Sequence, residues 1–499
     1  MDLNKIKKVH FVGIGGIGVS AVAKMMIRLG KKVSGSDLIK SEITGDLEKM
    51  GAKIFIGHQK ENLDKDIDLL IYSPAVPENN PERRVAKEQK IQELSYPEFL
   101  GELSKDYFTI AISGTNGKTT TTAILGLILE KAGLDPTVIV GSKIKNFPDG
   151  NFRFGKGKYL VVEGCEWNAH MLKLHPEIIV LTNLEADHLD YYKDLDDIIF
   201  HFQKYIDKMV GKGQIVLNND DDNLLKKLLP HRKVISYGIK KPADLVAKNI
   251  KIGNGFQQFD LVADSKLYNL NFTIDGLKMK IPGIFNIYNA LAAATCAFSL
   301  GVKSEIVKEV LENYTGAWRR FELINADLRR LDADLRRPDA DQRRYISADQ
   351  FTPLSGASQC KSAIVVSDYA HHPTAIQGTI KAAKDFFPDK RIFVVFQPHH
   401  HNRTKTLFND FVKSFDQADR VIVSEIYGVP GRELKIDEKV NSKDLVQAIE
   451  KRINKKVIYA KDLTEIKKLI LENIQENDVL LVMGAGDIYK IAEELKSNG

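Results

Sequence analysis

One short run restricts this chain more than any other: Gly114-Thr115-Asn116-Gly117-Lys118-Thr119-Thr120. It follows an apolar stretch, Phe108–Ile112, that reads as a strand, and it opens a helical stretch, Thr119–Ala132. A strand that turns through glycines into a helix aims backbone N–H groups and the positive helix end at phosphate oxygens. Lys118 is therefore expected to neutralise the β- and γ-phosphates of a nucleotide, and the Thr119 hydroxyl to ligate Mg2+. The spacing, G-x-x-G-K-T, is two residues shorter than the general P-loop pattern.

The loop lies within a repeated β-α-β rhythm. At 499 residues the chain has room for about three domains of roughly 150 residues each. The expected fold class is α/β in three domains: an N-terminal Rossmann-like domain (1–105), a central P-loop-type ATPase domain (106–315) and a C-terminal doubly wound Rossmann-like domain (316–499). In the first, Val9–Gly13, Lys32–Ser36 and Leu69–Ser73 read as strands and Ile17–Leu29 as a helix. The second adds strands at Tyr159–Val162 and Ile178–Leu181, an antiparallel meander over 245–282, and an Ala-rich helix, Asn286–Leu300, expected to close it. The third has strands at Ala363–Val366, Ile392–Phe396, Val421–Ser424, Val457–Tyr459 and Val479–Met483. Within an insertion at about 325–361, the units ADLRRLD, ADLRRPD and ADQRRYI recur every seven residues. Asp balances Arg there, large apolar residues are few, and Pro338 interrupts any helix, so 326–350 is expected to hang from a hairpin as a solvated, replaceable loop with its first tryptic cuts within Arg329–Arg344.

Composition narrows the partners. Hydrophobic residues make up 43%, enough for ordinary cores, yet no apolar run approaches the roughly 20 residues of a membrane helix. Met-Asp-Leu-Asn-Lys leads straight into a strand without the apolar core of a signal peptide, so a cytoplasmic location is expected. Cys165, Cys296 and Cys360 have no metal spacing and suit a reducing compartment. The formal charge of +6 is spread among acidic residues, which argues against a nucleic-acid partner and suits small anionic substrates. The chain is expected to work as a monomer or weak dimer.

Other motifs surround the loop. Gly13-Ile14-Gly15-Gly16-Ile17-Gly18-Val19-Ser20 contains G-x-G-x-x-G, which by itself reads first as a dinucleotide site, and Ser34-Gly35-Ser36-Asp37 ends the next strand with an acid suited to a ribose or base. Ser73-Pro74-Ala75-Val76-Pro77 follows a third strand. Glu163-Gly164-Cys165-Glu166 and Thr182-Asn183, then Glu185-Ala186-Asp187-His188, follow the strands after the phosphate loop, so carboxylate and imidazole can converge beside it. Further on come Gly283-Ile284-Phe285-Asn286-Ile287-Tyr288-Asn289, Ala317-Trp318-Arg319-Arg320-Phe321-Glu322, Ser367-Asp368-Tyr369-Ala370-His371-His372-Pro373, Gln397-Pro398-His399-His400-His401-Asn402-Arg403-Thr404 and Met483-Gly484-Ala485-Gly486-Asp487.

GTNGKTTTT, GIGGIG followed by SGSD, and DYAHHP together resemble the Mur ligase family, a group that also includes folylpolyglutamate synthases. Those synthases lack the front domain, so its presence points to the members acting on UDP-linked sugars. The resemblance spans the chain except the insertion. It implies an ATP-dependent ligase joining L-alanine to the carboxylate of UDP-N-acetylmuramate through an acyl phosphate. It implies that Gly15, Gly16, Ile17, Gly18, Ser20, Ser36, Asp37, Ser73 and Ala75 hold the UDP-sugar. Gly114, Thr115, Asn116, Gly117, Lys118, Thr119 and Thr120 would bind ATP, with Asn286 and Asn289 at the adenine and Asp368 at the ribose. Arg320 would reach the γ-phosphate when the domains close. Thr119, Glu163 and His188 would ligate Mg2+ (or Mn2+). Tyr369, His371 and Arg403 would take the amino acid. The catalytic set is then Lys118, Glu163, His188, His371 and Arg403. Three positions depart from the family: Phe285 stands where many relatives have His, Cys165 where an acid is usual, and His400 where relatives have Arg. Cys165 is read as packing, and the His400 change bears on the clamp for the alanine carboxylate. Rival readings are a murein-peptide recycling ligase, an NAD-dependent oxidoreductase built on the first glycine turn, and a catalytically silent UDP-sugar binder.

Overall fold

The computed structural model describes residues 2–189, 191–228, 231–253, 255–265, 270–328, 330–331, 363–428 and 440–496. Three sheets follow one another along the chain, as the alternating pattern requires. The first has five parallel strands in the order Lys53–Ile56, Lys32–Asp37, Lys8–Val12, Leu69–Tyr72, Gln92–Ser95. Its connections run outward in both directions from Lys8–Val12. The carboxyl end of that strand is therefore a topological switch point, and the glycine turn that starts at Gly13 occupies it.

The central sheet has ten strands. Phe108–Ser113 lies between Tyr159–Gly164 and Ile178–Leu181, parallel to both. The loops that follow these three neighbours therefore open at one edge of the sheet. The expected meander is present: Leu245–Gly253, Phe256–Ser265 and Leu270–Met279 pair antiparallel. Helices Lys118–Lys131 and Ile284–Ser299 share one apolar cluster with Ile110, Ile112, Val161 and Val180. The buried alanines at 290, 292, 293, 294 and 297 keep that second helix close to its neighbours.

On the other face, Phe11, Val22, Met25 and Met26 of the first unit form a single cluster with Ile139, Phe152, Leu160 and Leu181 of the second. The first two sheets are thus joined by a common core. Lys24, almost fully buried, adds a polar tie by donating to Asn151 Oδ1 (2.8 Å) and the Asp149 carbonyl (2.7 Å).

The third sheet runs Glu322–Ile324, Ile364–Asp368, Asp478–Met483, Arg391–Phe396, Arg420–Ser424, Val457–Ala460. The first strand is antiparallel to the second and the rest are parallel. Apolar clusters cover both faces.

Two expectations need correction. The Ala-rich helix does not end the helical run, because Ser304–Asn313 follows it, with Val307 and Leu311 buried one turn apart. The heptad repeat lies mostly outside the described residues, and its proposed trypsin site and solvated character there fall outside them too. In its first unit, however, two leucines are buried. Leu328 and Leu331 are 2% and 0% exposed and join Ile324, Val365 and Leu495 in one cluster. The Asp327 N–H donates to the Leu495 carbonyl at 2.9 Å, and Arg330 reaches the Lys496 carbonyl. Net polarity concealed an apolar pair spaced i, i+3, which one helical turn brings to the same side. Leu331→Ala is expected to cost about 2–4 kcal/mol of stability in the third unit, read as a lowered melting temperature. An unchanged melt would return this segment to the solvent.

Candidate active site

The phosphate loop owes its shape to two glycines. Gly114 and Gly117 have φ of 130° and 88°, values that side chains disfavour. A Cβ on Gly114 would overlap Thr182 Oγ1, and one on Gly117 would overlap Asn289 Oδ1. The neighbouring strand head holds the loop down. The Thr115 N–H donates to the Asn183 carbonyl (2.9 Å), the Asn116 N–H to Asn183 Oδ1 (3.0 Å), and Thr182 Oγ1 and Asn183 Nδ2 donate to the Asn116 carbonyl at 2.6 and 2.9 Å. Thr182 and Asn183 were legible in the sequence as a strand end; their part in fixing the loop was not.

Lys118 folds back over this loop. Its ammonium donates to the Gly114 and Thr115 carbonyls (2.6 and 3.1 Å) and to Glu166 (2.9 Å). Burial is the largest single influence and would lower its pKa, but Glu166, Cys165 and Glu163 together outweigh it and the net shift is upward. The Thr119 hydroxyl is 3.2 Å from Glu163 Oε2, and the other oxygen of Glu163 accepts the Gly141 N–H at 2.6 Å. Thr120 is buried in the first helical turn. His188 takes φ of 53° and directs Nε2 to 3.6 Å from Glu166. Cys165 lies among these groups, and burial pushes its thiol up to about 12, which agrees with a packing role.

Asn286 and Asn289 are buried and bond to each other (3.0 Å), with Asn286 also donating to the Pro282 carbonyl. Asn289 abuts Gly117, so this pair borders the loop from beneath.

The third unit reaches across to the central sheet. Arg320 Nη2 is 3.4 Å from Thr119 Oγ1, and its guanidinium lies over the Tyr369 ring at 4.7 Å. Asp368 is buried and accepts the Phe321 and Ala370 N–H groups at 2.7 Å each; burial raises its pKa. His371 Nδ1 is 2.8 Å from the Tyr369 carbonyl, so Nδ1 carries the proton and Nε2 has the lone pair. Desolvation, then Arg403, hold His371 well below the usual histidine range, which keeps the ring neutral. His372 turns the other way, to the Ala186 carbonyl at 3.3 Å. Arg403 is committed to Asp187 of the central unit, with Nη2 and Nε at 2.8 and 3.2 Å from one oxygen. His400 is buried at φ 72° and opens the helix that carries Arg403. It lines a small cavity of about 20 Å³ with Asp187, His188, Asn402 and Arg403.

In the first unit, Gly15 N–H donates to Asp37 Oδ2 at 2.8 Å, and the Gly13 and Ile14 N–H groups to the Ser36 carbonyl. The Ser36 hydroxyl is buried and donates to Glu82 (2.6 Å), so its side chain faces inward. A Cβ on Gly18 would strike the Tyr96 ring at 2.8 Å, and Gly16 caps the helix that begins at Ile17. Ser20 Oγ and the Ile17 carbonyl both receive bonds from Asn151 of the central unit. Ser73 and Ala75 sit at the end of Leu69–Tyr72, beside Gly13. The first-unit residues therefore gather at one switch point, and the remaining ones gather around the phosphate loop.

Sequence reasoning gave no role to Glu166, Asp187 or Arg319. Glu166 and Asp187 each stand within three residues of a singled-out acid or histidine, which was the available signal. Arg319 is buried, donates to the Gly484 carbonyl at 2.5 Å and packs on the Tyr369 and Tyr489 rings. Among the described residues no group of three or more His, Cys, Asp or Glu side chains is arranged to hold a metal ion. Thr119 and Glu163, with the His188 imidazole nearby, nevertheless offer the hard oxygen and imidazole donors that a divalent cation beside a phosphate takes.

These features define a protein of three α/β units with a glycine-rich strand–loop–helix turn where the second and third meet. Comparison with known proteins gives the family. Residues 8–108 match the model of the "Mur ligase family, catalytic domain", 112–297 the "Mur ligase middle domain" and 356–486 the "Mur ligase, glutamate ligase domain". The chain is 40% identical over 99% of its length to a UDP-N-acetylmuramate–L-alanine ligase of Acetivibrio thermocellus, covering 96% of that protein. It is 38% identical to the ligase of that name from Caldanaerobacter subterraneus, covering 99% of this chain and 98% of the relative. Its fold matches the crystal structure of the UDP-N-acetylmuramate-alanine ligase of Thermotoga maritima with a TM-score of 0.76 and 29% identity, over 98% of each chain. The chain belongs to the Mur ligase family.

The Asp187–Arg403 pair joins two units, and its acid–base behaviour is testable. Burial would raise the Asp187 pKa, yet Arg403, His188 and His371 hold it far below the usual carboxylate range. A depressed pKa contributes stability that is full above the unfolded-state value, about 3.9, and is lost progressively as pH falls from there toward the folded value. Thermal melts between pH 5 and 3 should therefore fall more steeply for the wild type than for Asp187→Asn. Parallel curves would mean the pair contributes nothing.

Proposed function

We propose that this chain ligates L-alanine to the lactyl carboxylate of UDP-N-acetylmuramate at the expense of ATP. The observation that carries the reading is the convergence of Lys118, Thr119, Glu163, His188 and Arg320 around one loop, in a chain matching alanine-adding relatives over nearly its full length. We divide it into a UDP-sugar domain (1–105), an ATP domain (106–315) and an amino-acid domain (316–499), and place it in the cytoplasm. Among the described residues no helix is long and apolar enough to cross a membrane.

The first step moves the γ-phosphoryl group of ATP to a carboxylate oxygen, giving an acyl phosphate and ADP. Loop N–H groups, Lys118 and Arg320 stabilise charge spreading over the transferred group. Thr119, Glu163 and His188 would hold Mg2+ (or Mn2+), whose charge damps repulsion between the two anions. The amine of alanine then attacks the acyl carbon. We assign the amine's proton to Nε2 of neutral His371 and the amino-acid carboxylate to Arg403, with Tyr369 alongside. The tetrahedral adduct collapses to the amide and expels phosphate. Asn286 and Asn289 take the adenine side, Asp368 the ribose, and the turn 13–20 with Ser36, Asp37, Ser73 and Ala75 the UDP-sugar. With its hydroxyl turned inward, Ser36 serves through its carbonyl, which fixes the turn.

The test is phosphate release with ATP, UDP-N-acetylmuramate and a panel of alanine, glycine and serine. Release that requires the UDP-sugar and is fastest with alanine is expected; release independent of any amino acid would refute the reading. Lys118→Ala should abolish ligation yet bind UDP-N-acetylmuramate normally by calorimetry, because the two glycine turns lie on separate sheets. His188→Ala should raise the Mg2+ requirement and slow turnover by at least about 100-fold. A wild-type metal titration would make it a structural histidine.

A further inference from the structure

Glu166 is a buried acid that this reaction leaves unused. Its side chain is 7% exposed and lies 2.9 Å from Lys118 Nζ. His188 Nε2 stands 3.6 Å away. With the Gly114 and Thr115 carbonyls, Glu166 supplies the third acceptor of an ammonium that has three N–H groups. The backbone at Glu166 is anchored, since its carbonyl accepts both the Tyr192 hydroxyl (2.5 Å) and the Ala169 N–H (2.9 Å). Tyr192 is itself 2% exposed. The carboxylate therefore cannot withdraw from the loop by a shift of the main chain.

A nucleotide phosphate seeks the same ammonium, so it competes with the Glu166 carboxylate for it. We propose that Glu166 is a positioning residue that keeps Lys118 folded against its own loop until a nucleotide phosphate takes the ammonium over. This rests on the reading of Lys118 as the phosphate-binding lysine. When the ammonium leaves, the carboxylate still has the His188 imidazole 3.6 Å away, and their pairing orients that ring. Glu166 thus opposes nucleotide binding in the empty loop and supports the loaded site. Loss of its charge should have opposite effects on affinity and on turnover, a combination that damaged folding does not produce.

The experiment is calorimetric titration of the full chain with ADP in chelator, at low salt, for wild type, Glu166→Gln, Lys118→Ala and the double variant. Glu166→Gln is expected to bind ADP about 10-fold more tightly than wild type, the scale of one charge-assisted contact no longer competed for. Its ligation turnover with saturating Mg2+ and ATP should fall by at least about 10-fold, the scale of lost support for a metal-organising side chain. In the Lys118→Ala background the same substitution should change ADP affinity less than about 2-fold, because no ammonium remains to be contested. Equal or weaker ADP binding by a Glu166→Gln variant that melts like wild type would overturn the proposal, as would the same gain without Lys118. If Glu166→Gln does not fold, Glu166→Asp, which draws the carboxylate back by one methylene, decides by the same titration. Wild-type ADP affinity in Lys118→Ala would instead remove the phosphate-binding assignment of the lysine, whatever Glu166 does.

Discussion

A lysine ammonium enclosed by two backbone carbonyls and one carboxylate has its charge balanced only while all three stay in place. The rest of the molecule maintains that arrangement. The carbonyls belong to a loop that two glycines permit and that Thr182 and Asn183 tie down. The carboxylate belongs to the segment just after the strand on the other side, Tyr159–Gly164. A parallel sheet with Phe108–Ser113 between those two strands brings the three loops to one edge. The shared apolar core then fixes the first unit against this sheet, and Arg320 and the Asp187–Arg403 pair bring the third unit to it.

Much of this was legible in the chain. The strand–loop–helix at Gly114–Thr120 has a period, a turn chemistry and a cation that agree, and the structure places a strand and a helix on either side of it. The strands of the third unit are short apolar runs of Val, Ile, Leu and Phe, buried on both faces, so they stand out against their surroundings. The edge strand Gln92–Ser95 was missed because partial exposure leaves it no apolar run, and Lys53–Ile56 was missed although Ile54-Phe55-Ile56 is a short one. Ser304–Asn313 was missed although its apolar residues recur at helical spacing.

Side-chain commitments were the least legible. Asp37 read as ligand-facing from its place at a strand end, and Ser36 from the family resemblance; the Ser36 hydroxyl is buried against Glu82 and the Asp37 carboxylate holds the Gly15 N–H. Arg403 read as a clamp for a substrate carboxylate, and it already grips a carboxylate of the protein. These contacts link residues 216 positions apart in the case of Arg403. No local pattern encodes such pairs, because they arise only when separate sheets meet. Leu328 and Leu331 show the opposite limit: local charge density masked a contact that the fold makes obvious.

On the proposed reading, this clustered site activates a carboxylate by phosphorylating it before an amine attacks. Ligation of UDP-N-acetylmuramate carrying 18O in its carboxylate, followed by mass analysis of the released phosphate, tests that claim directly. With both carboxylate oxygens labelled, one 18O atom is expected in each phosphate formed, because the C–O bond to the transferred phosphoryl group breaks when the amide forms. Phosphate free of 18O, with the amide still produced, would contradict it.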